Sequence, residues 1–353
     1  MMKKNENIII LGIESSCDDT GCAVIKNGLL LSNVTANQSI HEQYGGVIPE
    51  LASRDHQKNI LPVIDLALKK ANITINELSA IAVTLGPGLS GSLLVGLSFA
   101  KSLALALNIP LIEVNHMQGH ILAHFVKEDT EGTVEKRETE IHTSPEFPFL
   151  CLTVSGGHTQ IVKITSHLTF ELLAETEDDA VGEAFDKAAK ILGLPYPGGP
   201  LIDKYAKLGN ATRFKFPTPK LQNNNYSFSG VKTAFLYFIQ AETKLNEHFV
   251  SENLNDICAS YQQHLINYLL KNLLNVSKET SIKQIAIAGG VSANSGLRTQ
   301  LKLLGDKHKW QTYIPKFEYC TDNAAMIAIT GYYKFLENQF CGLEVIPMPR
   351  YSI

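Results

Sequence analysis

Short apolar runs separated by polar turns begin the chain. The run Asn7–Glu14 predicts a strand, and the polar turn Ser15–Asp19 follows it. The next two apolar runs, Thr20–Lys26 and Leu29–Thr35, predict two further strands. We therefore expect the chain to start with three neighbouring strands.

A buried strand, a glycine turn and a helix come next. Ile81–Leu85 is apolar throughout, Gly86–Gly88 forms the turn, and Ser90–Leu107 is apolar almost all round. We expect this helix to be buried on most of its faces. Leu111–Val114 then predicts a short strand that leads into a helix carrying two histidines.

The same order of elements returns in the second half. Strands are predicted at Phe149–Val154, Gln160–Ile164 and Thr169–Ala174, with a Ser-Gly-Gly turn after the first. Ile285–Ala288 predicts a buried strand that is followed by a glycine turn and a helix. Such a repeat predicts a duplicated, two-lobed α/β fold with a cleft between the lobes.

The predicted domain boundaries follow from this repeat. Residues 1–126 form the N-terminal lobe, and a final helix near residues 321–340 packs back onto it. Residues 127–147 are rich in charge and predict a linker or small excursion. Residues 148–353 form the C-terminal lobe, with a helical insertion at about 178–245.

Composition narrows the class of protein. The chain has 353 residues, of which 44% are hydrophobic and 19% are charged, as in soluble globular proteins. Its net charge of −4 excludes a protein that is basic all over, such as a histone-like nucleic-acid binder. The six cysteines form no Cys-x-x-Cys pair, so we expect a reducing compartment and no zinc ribbon.

We expect neither a secretory signal nor a membrane span. The N-terminal apolar run has only six residues before Glu14, which is shorter than the apolar region of a signal peptide. The stretch Leu89–Val114 holds Lys101 at its centre and Pro110 near its end, so no uncharged run of about 20 residues remains. No membrane partner is therefore expected.

Two glycine-rich turns, Ser155–Thr159 and Gly289–Asn294, are candidates for phosphate binding. Glycine lets a phosphate approach the backbone N–H groups closely, and a following helix adds the positive end of its dipole. Either turn alone could be a turn and nothing more. Both in the same duplicated context favour a nucleotide-phosphate site, although no P-loop motif is present in the sequence.

His116 and His120 lie four residues apart on a predicted helix, so they share a face and could ligate one metal ion. The alternative is a pair of core or capping histidines. Met117 stands where the zinc-protease motif His-Glu-x-x-His has its glutamate, which disfavours a protease. Asp322 is a candidate third ligand, and its alternative role is to cap the following helix.

Acidic side chains form a further candidate site. Asp179, Glu183 and Asp186 share one face of a predicted helix and could bind hydroxyl or amine groups of a ligand. The alternative is that Lys187 and Lys190 only offset their charge. The first polar turn carries Asp18 and Asp19, which could bind a metal-bound water or lie beside a phosphate. The alternative is that they only stabilise the turn through hydrogen bonds to its backbone.

Together these motifs resemble the TsaD family, the tRNA N6-adenosine threonylcarbamoyltransferases. They extend from about Ile8 to Ala328, nearly the whole chain. Nine stretches carry the resemblance: Gly12–Thr20, Gly45–His56, Gly86–Leu89, Asn115–His120, Val154–Thr159, Gly182–Lys187, Tyr196–Pro200, Phe228–Thr233 and Gly289–Asn294.

The resemblance implies a fold and a reaction. The fold is the duplicated α/β fold of acetate and sugar kinases, heat-shock ATPases and actin. The reaction moves the threonylcarbamoyl group from threonylcarbamoyl-AMP to N6 of adenosine 37, in tRNAs that read codons beginning with A.

It also implies site residues. One divalent metal, usually iron and alternatively zinc, would be held by His116, His120 and Asp322. The adenylate or substrate would contact Val154, Ser155, Gly156, Gly157, His158, Asp186, Gly199, Asp203 and Asn294. We add Asp18 as the candidate for proton transfer.

Two positions bear on the branch and the site. The family usually has Asp-Glu where this chain has Asp18-Asp19, and the shorter side chain could retract from the cleft, so we favour Asp18. His158 resembles the bacterial and mitochondrial branch, and the bacterial cytoplasm is the expected location. The partners implied are a TsaB-type homologue and a TsaE-type ATPase.

A tRNA substrate requires positive charge. The candidates are Arg213, Lys215, Lys220 and Lys232, which could equally be an ordinary solvated face. The alternative functions are a small-molecule kinase or ATPase of the same fold, a metalloprotease, and a scaffold without catalysis.

Overall fold

Two β-sheets organise the chain, and each belongs to its own unit. The computed structural model describes residues 7–38, 41, 44–128, 144–219, 221 and 223–353. One unit consists of Met1–Ser144 with Thr321–Ile353, and the other of Pro145–Cys320. The sequence analysis predicted that the C-terminal lobe extends to residue 353 and that only the final helix packs back onto the N-terminal lobe. In the structure, the whole of Thr321–Ile353 belongs to the first unit.

The strands are β1 (Ile9–Glu14), β2 (Thr20–Lys26), β3 (Leu29–Ala36), β4 (Ala80–Gly86), β5 (Leu111–Asn115), β6 (Lys127–Glu128), β7 (Phe149–Val154), β8 (Thr159–Ser166), β9 (Thr169–Glu175), β10 (Gln284–Ala288) and β11 (Gln311–Tyr313). The helices are α1 (Pro49–Ala71), α2 (Ser90–Leu107), α3 (His116–Leu122), α4 (Val181–Ile191), α5 (Gly198–Ala206), α6 (Ser229–Leu245), α7 (Phe249–Thr280), α8 (Ser295–His308) and α9 (Ala324–Leu336).

The first unit has a sheet in the order β5-β4-β1-β2-β3-β6. β1, β2 and β3 are antiparallel neighbours, whereas β4 runs parallel to β1 and β5 parallel to β4. Helices α1, α2 and α9 pack against this sheet. α9 approaches β1 so closely that a Cβ added at Gly12 would lie 2.6 Å from the backbone nitrogen of Ala328.

Helix α2 differs from the prediction that it is buried on most faces. One side packs inward through residues such as Leu93 and Leu97, but Leu94 is 54% exposed and Leu105 is 67% exposed. Among the described residues, α2 is also the one helix long and apolar enough to span a membrane by length and composition alone. The expectation failed because apolarity around a helix does not say which of its faces the rest of the chain covers.

The second unit repeats the first sheet, in the order β11-β10-β7-β8-β9. β7, β8 and β9 are antiparallel neighbours, and β10 runs parallel to β7 as β4 does to β1. An aromatic core that includes Phe185, Phe235 and Tyr261 packs α4, α6 and α7 together. The predicted duplication is therefore present in the sheets.

The segments between the repeats differ in part from expectation. Helices α4, α5 and α6 lie in the predicted insertion at 178–245. The predicted linker began at residue 127, but Lys127–Glu128 pairs in parallel with Leu29–Leu30 and extends the first sheet. Residues 129–143 of that linker lie outside the described residues.

Candidate functional site

Three side chains of the first unit form a candidate metal centre. α3 begins at His116 directly after β5, and Asp322 stands two residues before α9. Nε2 of His116 and Nε2 of His120 each lie 3.3 Å from Oδ1 of Asp322. One ligand atom from each residue lies within 4.8 Å of the others. The structure thus brings together the three residues that the sequence analysis selected as candidate ligands.

Chemistry and burial fit a metal ion here. Among the described residues, Nδ1 of His120 is buried without a hydrogen-bond partner, and Nε2 faces Asp322 in a geometry that forms no hydrogen bond. A buried polar atom without a partner is costly, and a metal ligand bond would remove that cost. Asp322 does not cap α9, because Asn323 accepts the hydrogen bond from the Met326 N–H at 3.1 Å. Two imidazoles and one carboxylate leave coordination positions open for a substrate.

Glu14, which the sequence analysis did not select, orients one of the ligands. It ends β1 and is buried, with Oε2 3.1 Å from Nδ1 of His116. Thr84 Oγ1 donates to Oε2 at 2.7 Å, and the Ser16 N–H donates to Oε1 at 2.5 Å. A carboxylate on the far nitrogen of a ligating histidine fixes the ring orientation. The one local feature in the sequence that could have drawn attention to Glu14 is its position as a charged residue at the end of an apolar strand.

Charge dominates the titration of this cluster. Burial by itself would lower the pKa of His116, but the charges of Asp322 and Glu14 raise it well above its ordinary value. Burial would raise the pKa of Glu14 and of Asp322, yet the neighbouring His116 brings both below their ordinary values. Burial lowers the pKa of His120. His120 therefore favours the neutral form that a metal requires.

The polar turn after β1 is held by His56. Nε2 of His56 donates to the Cys17 carbonyl at 3.0 Å, and Nδ1 accepts from Thr20 Oγ1 at 2.7 Å. This turn carries Asp18 and Asp19. Burial, and then the charge of Asp18, raise the pKa of Asp19 to about 7. The structure therefore adds Asp19 to Asp18 as a candidate for proton transfer, although the sequence analysis favoured Asp18.

The second unit presents the predicted glycine turns. Val154 ends β7, and the Ser155 N–H donates to the His158 carbonyl at 2.9 Å, which closes the turn. A Cβ at Gly156 or Gly157 would meet nothing within 4 Å, and the same holds at Gly290. These glycines therefore border open space, and the backbone there is accessible to a ligand.

Asp186 stands apart from Asp179 and Glu183, the two acids predicted to share its helix face. That prediction is wrong for Asp179, because α4 begins at Val181 and Asp179 precedes it. Asp179 pairs with Lys232, and Glu183 pairs with Lys187. Oδ1 of Asp186 instead accepts from the N–H groups of Gly198, at 2.9 Å, and Gly199, at 3.2 Å. Burial raises its pKa despite these two donors. The carboxylate of Asp186 thus fixes the start of α5.

Asp203 and Asn294 belong to one polar network with Gln262, which the sequence analysis missed. Gln262 Nε2 donates to Asp203 Oδ1 at 3.1 Å, and Asn294 Nδ2 donates to Gln262 Oε1 at 2.7 Å. Asn294 also caps α8. Ser295 Oγ donates to the same Asp203 oxygen at 2.8 Å. The network ties α5, α7 and the start of α8 together, and no local sequence pattern predicts such contacts.

The chain matches known proteins over almost its full length. The family model described as TsaD, tRNA N6-adenosine threonylcarbamoyltransferase, matches residues 29–329. A protein of that name from Christiangramia forsetii is 61% identical over 348 residues, which is 99% of each chain. This chain belongs to the tRNA N6-adenosine threonylcarbamoyltransferase family.

Other relatives agree with this family membership. The threonylcarbamoyltransferase of Cytophaga hutchinsonii is 54% identical over 353 residues, covering 100% of this chain and 99% of that protein. Among solved structures, full-length HypF in its phosphate- and nucleotide-bound form has a TM-score of 0.62 at 14% identity. The match covers 96% of this chain and 48% of HypF, so it shows the fold alone. The resemblance to the threonylcarbamoyltransferase family and the predicted fold class are confirmed.

Proposed function

We propose that this chain modifies tRNA by transferring a threonylcarbamoyl group to N6 of an adenosine. Membership of the threonylcarbamoyltransferase family over nearly the whole chain carries this proposal. The finer parts are that the donor is threonylcarbamoyl-AMP and that the acceptor is adenosine 37 of tRNAs reading codons that begin with A. In the reaction a bond forms between N6 and the carbamoyl carbon, the bond from that carbon to the phosphate oxygen breaks, and AMP leaves.

We further propose that His116, His120 and Asp322 hold one divalent metal ion. Two histidines and a carboxylate suit both Fe²⁺ and Zn²⁺, and we favour Fe²⁺ from the resemblance to the threonylcarbamoyltransferase family. When bound, such an ion acts as a Lewis acid on a carbonyl or phosphate oxygen. Glu14 keeps the His116 ring turned toward Asp322. The burial of both histidines keeps water away from their ring nitrogens.

The turns of the second unit are proposed to bind the adenylate. The open backbone at Gly156 and Gly157, between Ser155 and His158, supports contact with phosphate or carbonyl oxygens. Val154 places this turn at the end of β7. The remaining proposed contacts to the adenylate are Asp186, Gly199, Asp203 and Asn294. Their hydrogen bonds within the unit would hold them in place before the ligand arrives.

The proton that leaves N6 requires an acceptor. Asp18 and Asp19 are the candidates, and the raised pKa of Asp19, about 7, makes its carboxylate an effective base near neutral pH. We therefore propose that one of these two carboxylates takes the proton. Replacing each in turn with asparagine separates them by the loss of transfer rate.

Protein partners and location are further proposals. The exposed Leu94 and Leu105 of α2 offer an apolar face, which supports binding to a TsaB-type homologue, and a TsaE-type ATPase completes the set. The cytoplasm is the proposed location.

The basic residues proposed to hold tRNA are partly used within the chain. Arg213 pairs with Asp256 at 2.6 Å, and Lys232 pairs with Asp179. Lys220 lies outside the described residues, and Lys215 is exposed. We therefore propose that partners supply part of the charge that tRNA requires.

A reconstitution experiment tests this function. tRNA is incubated with threonine, bicarbonate, ATP and the partner proteins, with and without this chain, and its nucleosides are analysed by mass spectrometry. We expect threonylcarbamoyladenosine and AMP only when the chain is present. Release of ADP by this chain in the absence of the partner proteins, without modified adenosine in the full mixture, would point to a kinase or ATPase instead.

A further inference from the structure

The C-terminal segment Met348–Ser352 runs along the ends of two strands that lead to the metal centre. Its first N–H, of Met348, donates to the carbonyl of Leu85 in β4 at 2.8 Å. At Gly86, where φ is +156°, any Cβ would overlap the Met348 carbonyl oxygen. A glycine is therefore required there for the segment to lie against β4. The segment is outside residues 29–329, which the family model matches.

The last residues of the segment contact Asn115, which is both the last residue of β5 and the N-cap of α3. Asn115 Nδ2 donates to the carbonyl oxygens of Tyr351 at 3.3 Å and Ser352 at 3.1 Å. Asn115 Oδ1 accepts from the N–H groups of Met117 at 2.9 Å and Gln118 at 3.2 Å. The buried amide has a donor end and an acceptor end. Because the two carbonyls of the segment can only accept, they bind the donor end, and the amide oxygen is left facing the helix.

The cap matters because α3 is short. It has seven residues, and a helix of that length is not stable without support from its surroundings. His116 is its first residue, and His120 follows one turn later. An asparagine N-cap satisfies backbone N–H groups that the helix itself leaves unpaired. The orientation of both histidines therefore depends on Asn115.

A second contact of the segment reaches the element that carries the third ligand. Tyr351 OH donates to Oε2 of Glu113 at 3.3 Å, and Oε1 of Glu113 pairs with Lys334 at 2.7 Å. Lys334 is buried in α9, which begins two residues after Asp322. One short segment thus contacts both the strand before α3 and, through Glu113, the helix after Asp322.

We propose that residues 348–352 are a positioning element of the metal centre. Through Asn115 they fix the start of α3, and so the geometry of His116 and His120 relative to Asp322. This inference rests on the proposed metal site.

Shortened chains test the proposal. One variant ends at Met348 and lacks both carbonyls, and the control is the full-length chain, which keeps them. Each is made with Asn115 and with Asn115→Ala. Co²⁺ affinity is measured by competition with a chromophoric chelator.

With Asn115 present, we expect ending the chain at Met348 to weaken Co²⁺ binding about ten-fold, because His116 and His120 lie on a helix whose cap is then no longer held in place. With Asn115→Ala, shortening should cost less than it does with Asn115, because the amide that the segment holds is already gone and only the contact of Tyr351 with Glu113 remains to be lost. An equal loss in both backgrounds, or no loss in either, would overturn the proposal.

A measurement on metal-free protein tests the positioning role of the segment separately from the existence of the metal site. Amide hydrogen exchange of residues 116–122 in chelated protein should be faster in the chain ending at Met348 than in the control. If the full chain binds no Co²⁺, the metal site is wrong, and unchanged exchange in α3 would then also reject the positioning role.

A full-length variant covers the case in which the shortened chain does not fold. Gly86→Ala would place Cβ on the Met348 carbonyl oxygen, so it displaces the segment from β4 while Asn115 stays unchanged. We expect it to lose Co²⁺ affinity and α3 protection as the shortened chain does. Behaviour like that of the unaltered chain would contradict the proposal.

Discussion

Oε2 of Glu14 lies 3.1 Å from Nδ1 of His116, although the two residues are 102 positions apart in the chain. The contact leaves Nε2 of His116 directed at Asp322, 3.3 Å away. It also places a buried carboxylate behind a proposed metal ligand, an arrangement that increases the basicity of the ligand and fixes its ring. The end of β1 therefore contributes to the candidate metal centre without supplying a ligand.

Replacing Glu14 with glutamine tests this contribution. Glu14→Gln keeps the size of the side chain but removes the charge that holds His116. We expect metal affinity to fall about ten-fold or more, with little change in fold. The measurement is chelator competition together with the metal content of the purified protein.

Glu171→Gln is the matched control. Glu171 is a surface residue of the second unit, paired with Lys163 at 2.8 Å, and its replacement should leave metal affinity unchanged. Equal affinities for Glu14→Gln and Glu171→Gln would show that Glu14 does not support the metal ligand.

His120→Leu should separate metal binding from stability. Nδ1 of His120 is buried without a partner among the described residues, and Nε2 lies 3.3 Å from Oδ1 of Asp322 without forming a hydrogen bond, so in metal-free protein the side chain costs free energy. We expect the free energy of unfolding of the metal-free variant to equal that of metal-free wild type or to exceed it by up to about 2 kcal/mol. The variant should nevertheless lose metal binding. Denaturant unfolding with a chelator present checks this. A large loss of stability would mean that His120 serves the fold rather than a metal.

The sequence was sufficient for the parts of this site that depend on local spacing. The separation of His116 and His120 by one helical turn placed both on one face, and the repeated strand pattern predicted the duplicated sheets. Glu14 was missed because its role depends on a contact between β1 and α3, which no local pattern records. The same holds for Gln262, because its partner Asp203 lies in α5 and its partner Asn294 is the N-cap of α8.

The pH dependence of stability tests the environment of Asp19. Its pKa rises from 3.8 to about 7 on folding, so the native state binds the proton more tightly than the unfolded state. The tighter proton binding stabilises the folded state fully below pH 3.8, and this stabilisation is lost as the pH rises through 7. In metal-free protein, the free energy of unfolding relative to Asp19→Asn should fall by up to about 1.4 kcal/mol per pH unit between those values. A difference that does not change with pH would contradict the buried, charge-crowded position of Asp19.

Two glycine variants distinguish a ligand-facing turn from a packing requirement. Gly156→Ala adds a methyl group to open space, so we expect stability within about 0.5 kcal/mol of wild type but transfer activity at least about ten-fold lower. Gly182→Ala would bring Cβ to 2.5 Å from the Ser155 carbonyl oxygen and should cost about 1–3 kcal/mol of stability. Thermal unfolding and a transfer assay are measured on both. Full activity of Gly156→Ala would remove that turn from the proposed adenylate site.

Transfer from threonylcarbamoyl-AMP to tRNA, followed as a metal is returned to chelated protein, is the most direct test of the proposed reaction and its metal centre. The quantity measured is threonylcarbamoyladenosine per tRNA. We predict none in chelated protein, recovery at about one equivalent of Fe²⁺ per chain, and no recovery in the double variant His116→Ala, His120→Ala. Full modification by chelated protein, or by the double variant, would contradict the account.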